Sequence, residues 1–273
     1  MTINCKGTLI DLSSPKVMGI LNVTPDSFFD GGKYTDEKSI ITQTEKMLYE
    51  GATFIDVGAY SSRPGAKHVS EEEELSRIVP IIDLLVKNFP DILISVDTFR
   101  SRVAYETINS GAAIINDISG GNLDANMYKT VAQLKVPYIL MHMQGTPQTM
   151  QQNPRYENVV TELISFFADR LLQLKSLKVH DVIIDVGFGF GKTLAHNYEI
   201  LQKLALFKNL DAPILAGVSR KSMLYKLLDI TAQEALNATT SANTIAVLNG
   251  ANILRVHDVK EAVEAVKIVE TVK

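Results

Sequence analysis

Short apolar runs and helical patterns alternate along the whole chain. The runs lie at Val17 to Val23, Phe54 to Ala59, Leu93 to Phe99, Ile114 to Ile118, Tyr138 to Met143, Val182 to Phe188, Ile214 to Ser219 and Ile253 to Val259. Each is continuous rather than alternating, as expected for strands covered on both faces of a parallel sheet. The stretches between them carry apolar residues at i, i+3 and i+4, and a last one, Lys260 to Lys273, closes the chain. Three helix exits repeat one another: Glu50-Gly51-Ala52, Ser110-Gly111-Ala112 and Asn249-Gly250-Ala251. Glycine there predicts a left-handed cap. Ser70 with Glu73 predicts a capping box opening a helix with Leu75, Ile78, Val79 and Ile82 on its apolar face, and Pro80 predicts a kink or break within it. Repeated βα units without a Ser/Gly linker predict one (β/α)8 TIM barrel over residues 1–273, with a doubly wound open sheet as the alternative. Thr2 to Leu12 alternates in character and predicts a short N-terminal hairpin plugging the bottom of the barrel.

Composition narrows the class. Of 273 residues, 46% are hydrophobic and 21% charged, which fits a globular protein rather than a disordered one. The net charge of −4 gives no whole-chain attraction to nucleic acid or an acidic membrane, so any anion site must be local. A single cysteine, Cys5, excludes an intrachain disulfide and a Cys-cluster zinc site. With no signal-like start and no long uncharged apolar run, the expected location is the cytoplasm.

In a (β/α)8 barrel the chemistry sits where the strands end. Asn22, Asp56, Asp97, Asn116 with Asp117, His142, Asp185, and Arg255 with His257 all lie at or near such ends, and are expected to converge on one mouth. Two groups differ in character. Asp97, Asn116 and Asp185 offer acceptors suited to a flat heterocycle with several N–H donors. Arg63, Lys221, Arg255 and His257 form a cationic set suited to a phosphate or diphosphate. Arg220 reads as pairing with a surface acid, and His68, His180 and His196 as surface residues, while His142 fits core or rim. Gly187 to Thr193 ends in Gly-Lys-Thr, yet lacks the glycine that a nucleotide-phosphate loop needs at Val186. It reads instead as a tight loop bringing Phe190 over the mouth, with one of Phe188 and Phe190 packing against a helix. The loops Thr24 to Gly32 and Ser61 to Ala66 read as lids.

Taken together, these motifs resemble the dihydropteroate synthase family. The resemblance spans Val17 to Val259 and rests on Asn22-Val23-Thr24-Pro25-Asp26-Ser27-Phe28 with Asp30-Gly31-Gly32, Ser61 to Gly65, Asn116-Asp117, Asp185 with Gly187-Phe188-Gly189-Phe190, Ser219-Arg220-Lys221-Ser222 and Arg255-Val256-His257. It implies condensation of 6-hydroxymethyl-7,8-dihydropterin diphosphate with 4-aminobenzoate, with Mg²⁺ as the required ion. Diphosphate would leave first, and the arylamine would attack the resulting pterin cation. Asp97, Asn116, Asp185, Lys221 and Arg255 would hold the pterin. Asn22 would bind Mg²⁺ and, with Arg63, Arg255 and His257, the diphosphate. Phe28, Ser62, Pro64, Phe190, Lys221 and Ser222 would line the aminobenzoate site, and Asp30 would face the developing cation. The family further implies a homodimer and inhibition by sulfonamides.

The chain departs from the family pattern at Ser62, where threonine is usual, at Ala59-Tyr60 for Gly-Glu, and at Val186 for proline. Two other readings share the pterin pocket: a barrel that passes a methyl group from methyltetrahydrofolate to a corrinoid protein, and a catalytically silent pterin-binding module. The first leaves the cationic set unexplained, and the second predicts loss of the lid or anion site. A sugar-phosphate barrel enzyme accounts for the cations but not for Asp97 with Asn116 and Asp185.

Overall fold

The computed structural model describes residues 1–23, 37–60, 69–150 and 153–272. Eight parallel strands close into a barrel: β3 (Lys16–Asn22), β4 (Phe54–Gly58), β5 (Ile94–Asp97), β6 (Ile114–Asp117), β7 (Tyr138–Met141), β8 (Val182–Asp185), β9 (Ile214–Ala216) and β10 (Ile253–Val256). Strand β10 pairs with both β9 and β3, which removes every sheet edge from the ring. The predicted hairpin is present as β1 (Thr2–Cys5) and β2 (Thr8–Asp11), antiparallel with Thr2 opposite Asp11.

Inside each continuous apolar run, the two faces of the strand have different partners. Val17, Ile55, Val57, Val96, Ile115, Leu140, Ile184, Ala216 and Leu254 belong to the large cluster between barrel and helices. Met18, Phe54, Ile114, Ile139, Ile183, Leu215 and Ile253 form a second cluster inside the ring, sealed below by Ile3, Cys5 and Leu12. With a side-chain period of two, the next inward positions on β4, β6, β8 and β10 are Asp56, Asn116, Asp185 and Arg255, so on those four strands the interior changes from apolar to polar within one residue pair. Burial raises the Cys5 thiol to about 12, which makes it an inert part of the plug.

The helices are α1 (Glu37–Tyr49), α2 (Glu71–Asn88), α3 (Ser101–Asn109), α4 (Met127–Leu134), α5 (Val159–Ser176), α6 (Leu194–Gln202), α7 (Ser222–Leu228), α8 (Leu236–Leu248) and α9 (Val259–Val272), with a 3₁₀ segment at Leu204–Leu210. The three Gly-Ala exits share one geometry: Gly51, Gly111 and Gly250 have φ of 102°, 109° and 102°. The following N–H groups of Ala52, Ala112 and Ala251 reach back to the carbonyls of Met47, Thr107 and Ala246, as in a Schellman motif.

Several expectations are corrected. The strands stop earlier than the apolar runs do, because at Asp185, for example, the carboxylate Oδ1 accepts from the Gly187 N–H at 2.8 Å and Gly187 turns away at φ 66°. Val259 therefore starts α9 rather than ending β10. Between β9 and β10 stand two helices, α7 and α8, since Asp229 ends α7 in the left-handed conformation at φ 54°. At α2 only half the capping box forms: Ser70 Oγ accepts from the Glu73 N–H at 3.2 Å, while the Glu73 carboxylate pairs with Arg77 one turn on. Helix α2 also passes unbroken through Pro80, which lies on its exposed side.

Candidate active site

The inward positions of five strands meet just above the apolar layer. Arg255 on β10 reaches across the barrel, its Nε donating to Asp56 Oδ2 at 2.6 Å and its Nη2 to Asp97 Oδ2 at 3.0 Å. Asn116 Nδ2 donates to both oxygens of Asp56, at 3.2 and 3.1 Å, which fixes the amide with its oxygen facing the other way. That oxygen, Asn116 Oδ1, is buried without a hydrogen-bond partner, as is Ser95 Oγ one layer down from Asp97. Buried acceptors left this way cost about 1–3 kcal/mol each, so the arrangement favours a ligand that brings N–H donors. Gly58 provides room: a Cβ there would stand 3.3 Å from that of Asp97.

Charge balance within the site is close. Burial pushes the Asp97 carboxyl up to about 7 although Arg255 opposes it. Asp185 is raised by burial, with Lys221 pulling the other way. Burial lowers the Lys221 ammonium to about 8 despite the attraction of Asp185. For Arg255 burial acts to lower the guanidinium, but Asp56 and Asp97 outweigh it and the net effect is upward. Burial thus moves the Asp97 carboxyl and the Lys221 ammonium toward neutrality at one strand-end cluster, the pattern found at functional sites.

On the β9 side, Lys221 Nζ donates to the Phe188 carbonyl and lies 4.8 Å from the centroid of the Phe190 ring, a cation–π arrangement. Phe190 packs against an apolar wall of Ile118, Met141, Met143 and Met150, joined by Phe99. Phe188 is fully buried in the core, so of the two phenylalanines only Phe190 is available at the mouth. Ser222 follows Lys221 as the first residue of α7. His257 stands exposed at the rim, its Nδ1 3.1 Å from Ser219 Oγ. Asn22 ends β3 on the inward-facing side, half-buried.

Two of the strand-end residues do not join this group. Asp117 follows Asn116 and so faces the opposite way, toward the helices, where it accepts from Tyr138 Oη, Ser119 and Gly121. His142 lies outside the inward row, packed edge-on to Phe166 at 4.9 Å, and burial lowers it to about 3. Arg220 behaves as expected, donating through Nε and Nη2 to Asp258 at 2.8 Å each. His180 is exposed, and His196 forms the capping box of α6 with Thr193. Asp30, Phe28, Ser62, Arg63, Pro64 and His68, with both expected lids, lie outside the described residues.

Asp56, expected at the mouth with the other strand-end residues but given no role there, is at the centre of the network. Two features escape a reading of the sequence. Lys192 is buried under the loop after β8, bonded to four acceptors. Glu74, in an acidic run that suggests a solvated face, is fully buried against Arg100 and Thr98. Glu74 follows Ser70 by four residues on the face of α2 that carries Ile78, and that register is the one signal the sequence holds.

The model for the pterin binding enzyme family matches residues 18–257. Dihydropteroate synthase of Escherichia coli strain K12 is 44% identical over 272 residues, covering 99% of this chain and 96% of the relative. That of Haemophilus influenzae is 44% identical over 270 residues, 98% of each. Among solved structures, Yersinia pestis dihydropteroate synthase with a sulfonamide drug superposes with a TM-score of 0.94 at 43% identity, over 100% of this chain and 99% of that one. The barrel, its mouth and these relatives agree, and the chain belongs to the dihydropteroate synthase family of pterin-binding enzymes.

Proposed function

We propose that this chain is a transferase that joins 6-hydroxymethyl-7,8-dihydropterin diphosphate to 4-aminobenzoate, forming 7,8-dihydropteroate and diphosphate for folate biosynthesis. The observation that carries the reading is the set of acceptors Asp97, Asn116 Oδ1 and Asp185 within one apolar ring, crossed by Arg255. A pterin supplies N–H donors along one edge and a flat face for the guanidinium. Asp97, Asn116 and Asp185 hold that edge, with Lys221 and Arg255 completing the pocket, and Asp56 keeps Arg255 and Asn116 in register.

In the reaction the C–O bond to the diphosphate breaks and its electron pair leaves with the anion. Arg255, His257 and Arg63 stabilise the departing charge, while the carboxylates of Asp97 and Asp185, with Asp30 on the first loop, favour the cation left on the pterin methylene. The arylamine nitrogen then forms the new bond to that carbon and loses a proton. Phe28, Ser62, Pro64, Phe190, Lys221 and Ser222 hold the arylamine, with Lys221 available to its carboxylate. Among the described residues no group of three His, Cys, Asp or Glu could cage a metal. A single amide oxygen from Asn22 beside an anion site suits Mg²⁺, which retains waters and takes substrate phosphate oxygens. When bound, Mg²⁺ supplies charge neutralisation to the diphosphate.

Three further proposals accompany this reading. The chain acts in the cytoplasm; among the described residues no helix is long and apolar enough to cross a membrane. It forms a homodimer, supported by Ile245 and Leu248 on α8 and Ile268 and Val272 on α9, which are exposed apolar residues on neighbouring helices. Sulfonamides compete with its arylamine substrate.

The test is an assay with pterin diphosphate, 4-aminobenzoate and Mg²⁺, measuring dihydropteroate and released diphosphate. Stoichiometric products that disappear on chelation are expected. Pterin binding without product would transfer the assignment to a silent pterin-binding module.

A further inference from the structure

The Gly187 to Thr193 segment contains an ammonium that the reaction above does not use. Lys192 is 3% exposed. Its Nζ lies 2.9 Å from the Gly187 carbonyl, 3.0 Å from that of Phe190, 3.1 Å from His142 Nδ1 and 3.3 Å from the His142 carbonyl. None of these partners is a carboxylate. Burial lowers this ammonium to about 7, with the Asp185 carboxylate opposing the shift through space, and a plain apolar side chain of equal length would avoid that cost. What the cation provides is a hold on the loop.

The loop's amides are held elsewhere, Gly187 N–H by Asp185, Gly189 N–H by Asn197 Oδ1 and Phe190 N–H by the Gly187 carbonyl, and Tyr156 Oη donates to the Gly191 carbonyl, so what Lys192 adds is a hold on the carbonyls of Gly187 and Phe190. Gly187, Gly189 and Gly191 take φ of 66°, 80° and 62°, so the backbone turns repeatedly outside strand or helix geometry. It also presses on the exit of β7: a Cβ at Gly187 would lie 2.0 Å from the His142 carbonyl oxygen, and one at Gly191 2.6 Å from that of Gln144. Carbonyls 187 and 190 are taken by Lys192 next to β7, and carbonyl 188 by Lys221 next to β9. The Phe190 ring under the Lys221 ammonium is thus fixed from both sides of β8. His142, kept neutral by its burial, can accept at Nδ1 and completes the seat of Lys192.

We propose that Lys192 is a positioning residue for the second substrate: by holding the carbonyls of Gly187 and Phe190 it makes Phe190 and Lys221 face the arylamine as one surface. The inference rests on the proposed reaction for the identity of that substrate. Lys192→Met keeps the stem and removes the donors. The expected result is a KM for 4-aminobenzoate raised about 10- to 100-fold, the effect of a displaced contact surface. The calorimetric affinity for pterin diphosphate and kcat should stay within about twofold. Chymotryptic cleavage after Phe190 in the folded protein, read by mass spectrometry, should accelerate. An unchanged KM overturns the proposal, and so does a loss of pterin affinity as large as the rise in KM. If Lys192→Met does not fold, Lys192→Gln, whose shorter stem and two N–H donors serve the four acceptors only in part, is expected to raise the KM in the same direction by a smaller factor, and an unchanged KM there overturns the proposal. If the wild-type protein makes no dihydropteroate, the proposed reaction fails, and the cleavage rate alone then decides whether Lys192 holds the loop.

Discussion

The lower and upper layers of the barrel interior are built from the same strands, on the same face, only two residues apart. Below, Met18, Phe54, Ile114, Ile139, Ile183 and Ile253 fill the ring against the hairpin. Above, Asp56, Asn116, Asp185 and Arg255 occupy the next positions. The lower layer is satisfied by packing alone, and removing atoms there costs transfer energy plus a cavity. The upper layer leaves Asn116 Oδ1 without a partner and raises the carboxyls of Asp97 and Asp185, so it is stabilised by what enters it. A barrel can therefore keep its fold while its mouth is changed, and the two layers should separate cleanly under mutation.

The strongest test of that separation is Phe54→Ala. It should lower stability by about 3–5 kcal/mol, measured by urea unfolding, while the molecules that remain folded bind pterin normally. A comparable loss of affinity would show that the layers are not independent. Asp185→Ala should do the reverse, weakening pterin binding by about 100-fold in calorimetry, the loss of charge-assisted bonds to the ligand, with the melting temperature preserved. Smaller again is the effect of pH. With Asp97 near 7 and Lys221 near 8, affinity should be greatest between those values. Below 7 Asp97 gains a proton and loses acceptor capacity, and above 8 Lys221 loses its charge, so binding falls by about tenfold per unit on the acid side. A flat titration curve between pH 6 and 9 would remove both groups from the binding step.

The same layering explains what the sequence discloses. Strand positions and barrel closure follow from the apolar runs, and the inward set Asn22, Asp97, Asn116, Asp185 and Arg255 follows from where those runs end. Asp117 and His142 share those ends but not the inward phase, a distinction that requires the register of each strand. Asp56 is hard to value from sequence because its partners, Asn116 and Arg255, are 60 and 199 residues away. Lys192 is hidden differently: its motif resembles a phosphate loop too poorly to be one, and nothing in the spacing shows an ammonium aimed at its own backbone. Glu74 sits in a run of four acids that on average would be solvated; its register with Ile78 is the one hint of the acid turned inward, and packing of α2 beside α3 supplies the Arg100 that pairs with it. Helix boundaries after β9 were equally concealed, since Asp229 is not a residue type that alone announces a stop.

Strand β10 lies between β9 and β3, joining the last strand of the chain to the first of the ring, and it also carries Arg255. During synthesis, a nascent chain that has emerged only to Leu248 lacks the strand that closes the sheet, leaving two unpaired edges, and its Asp56 and Asp97 carboxylates lack the guanidinium that pairs with both. Closure of the ring and neutralisation of the site then occur in a single late event, as Ile253 to Val256 leave the ribosome. A product cut short before that strand would be inactive and at the same time sticky, so quality control by proteases could recognise incomplete copies by the same edges that completion removes.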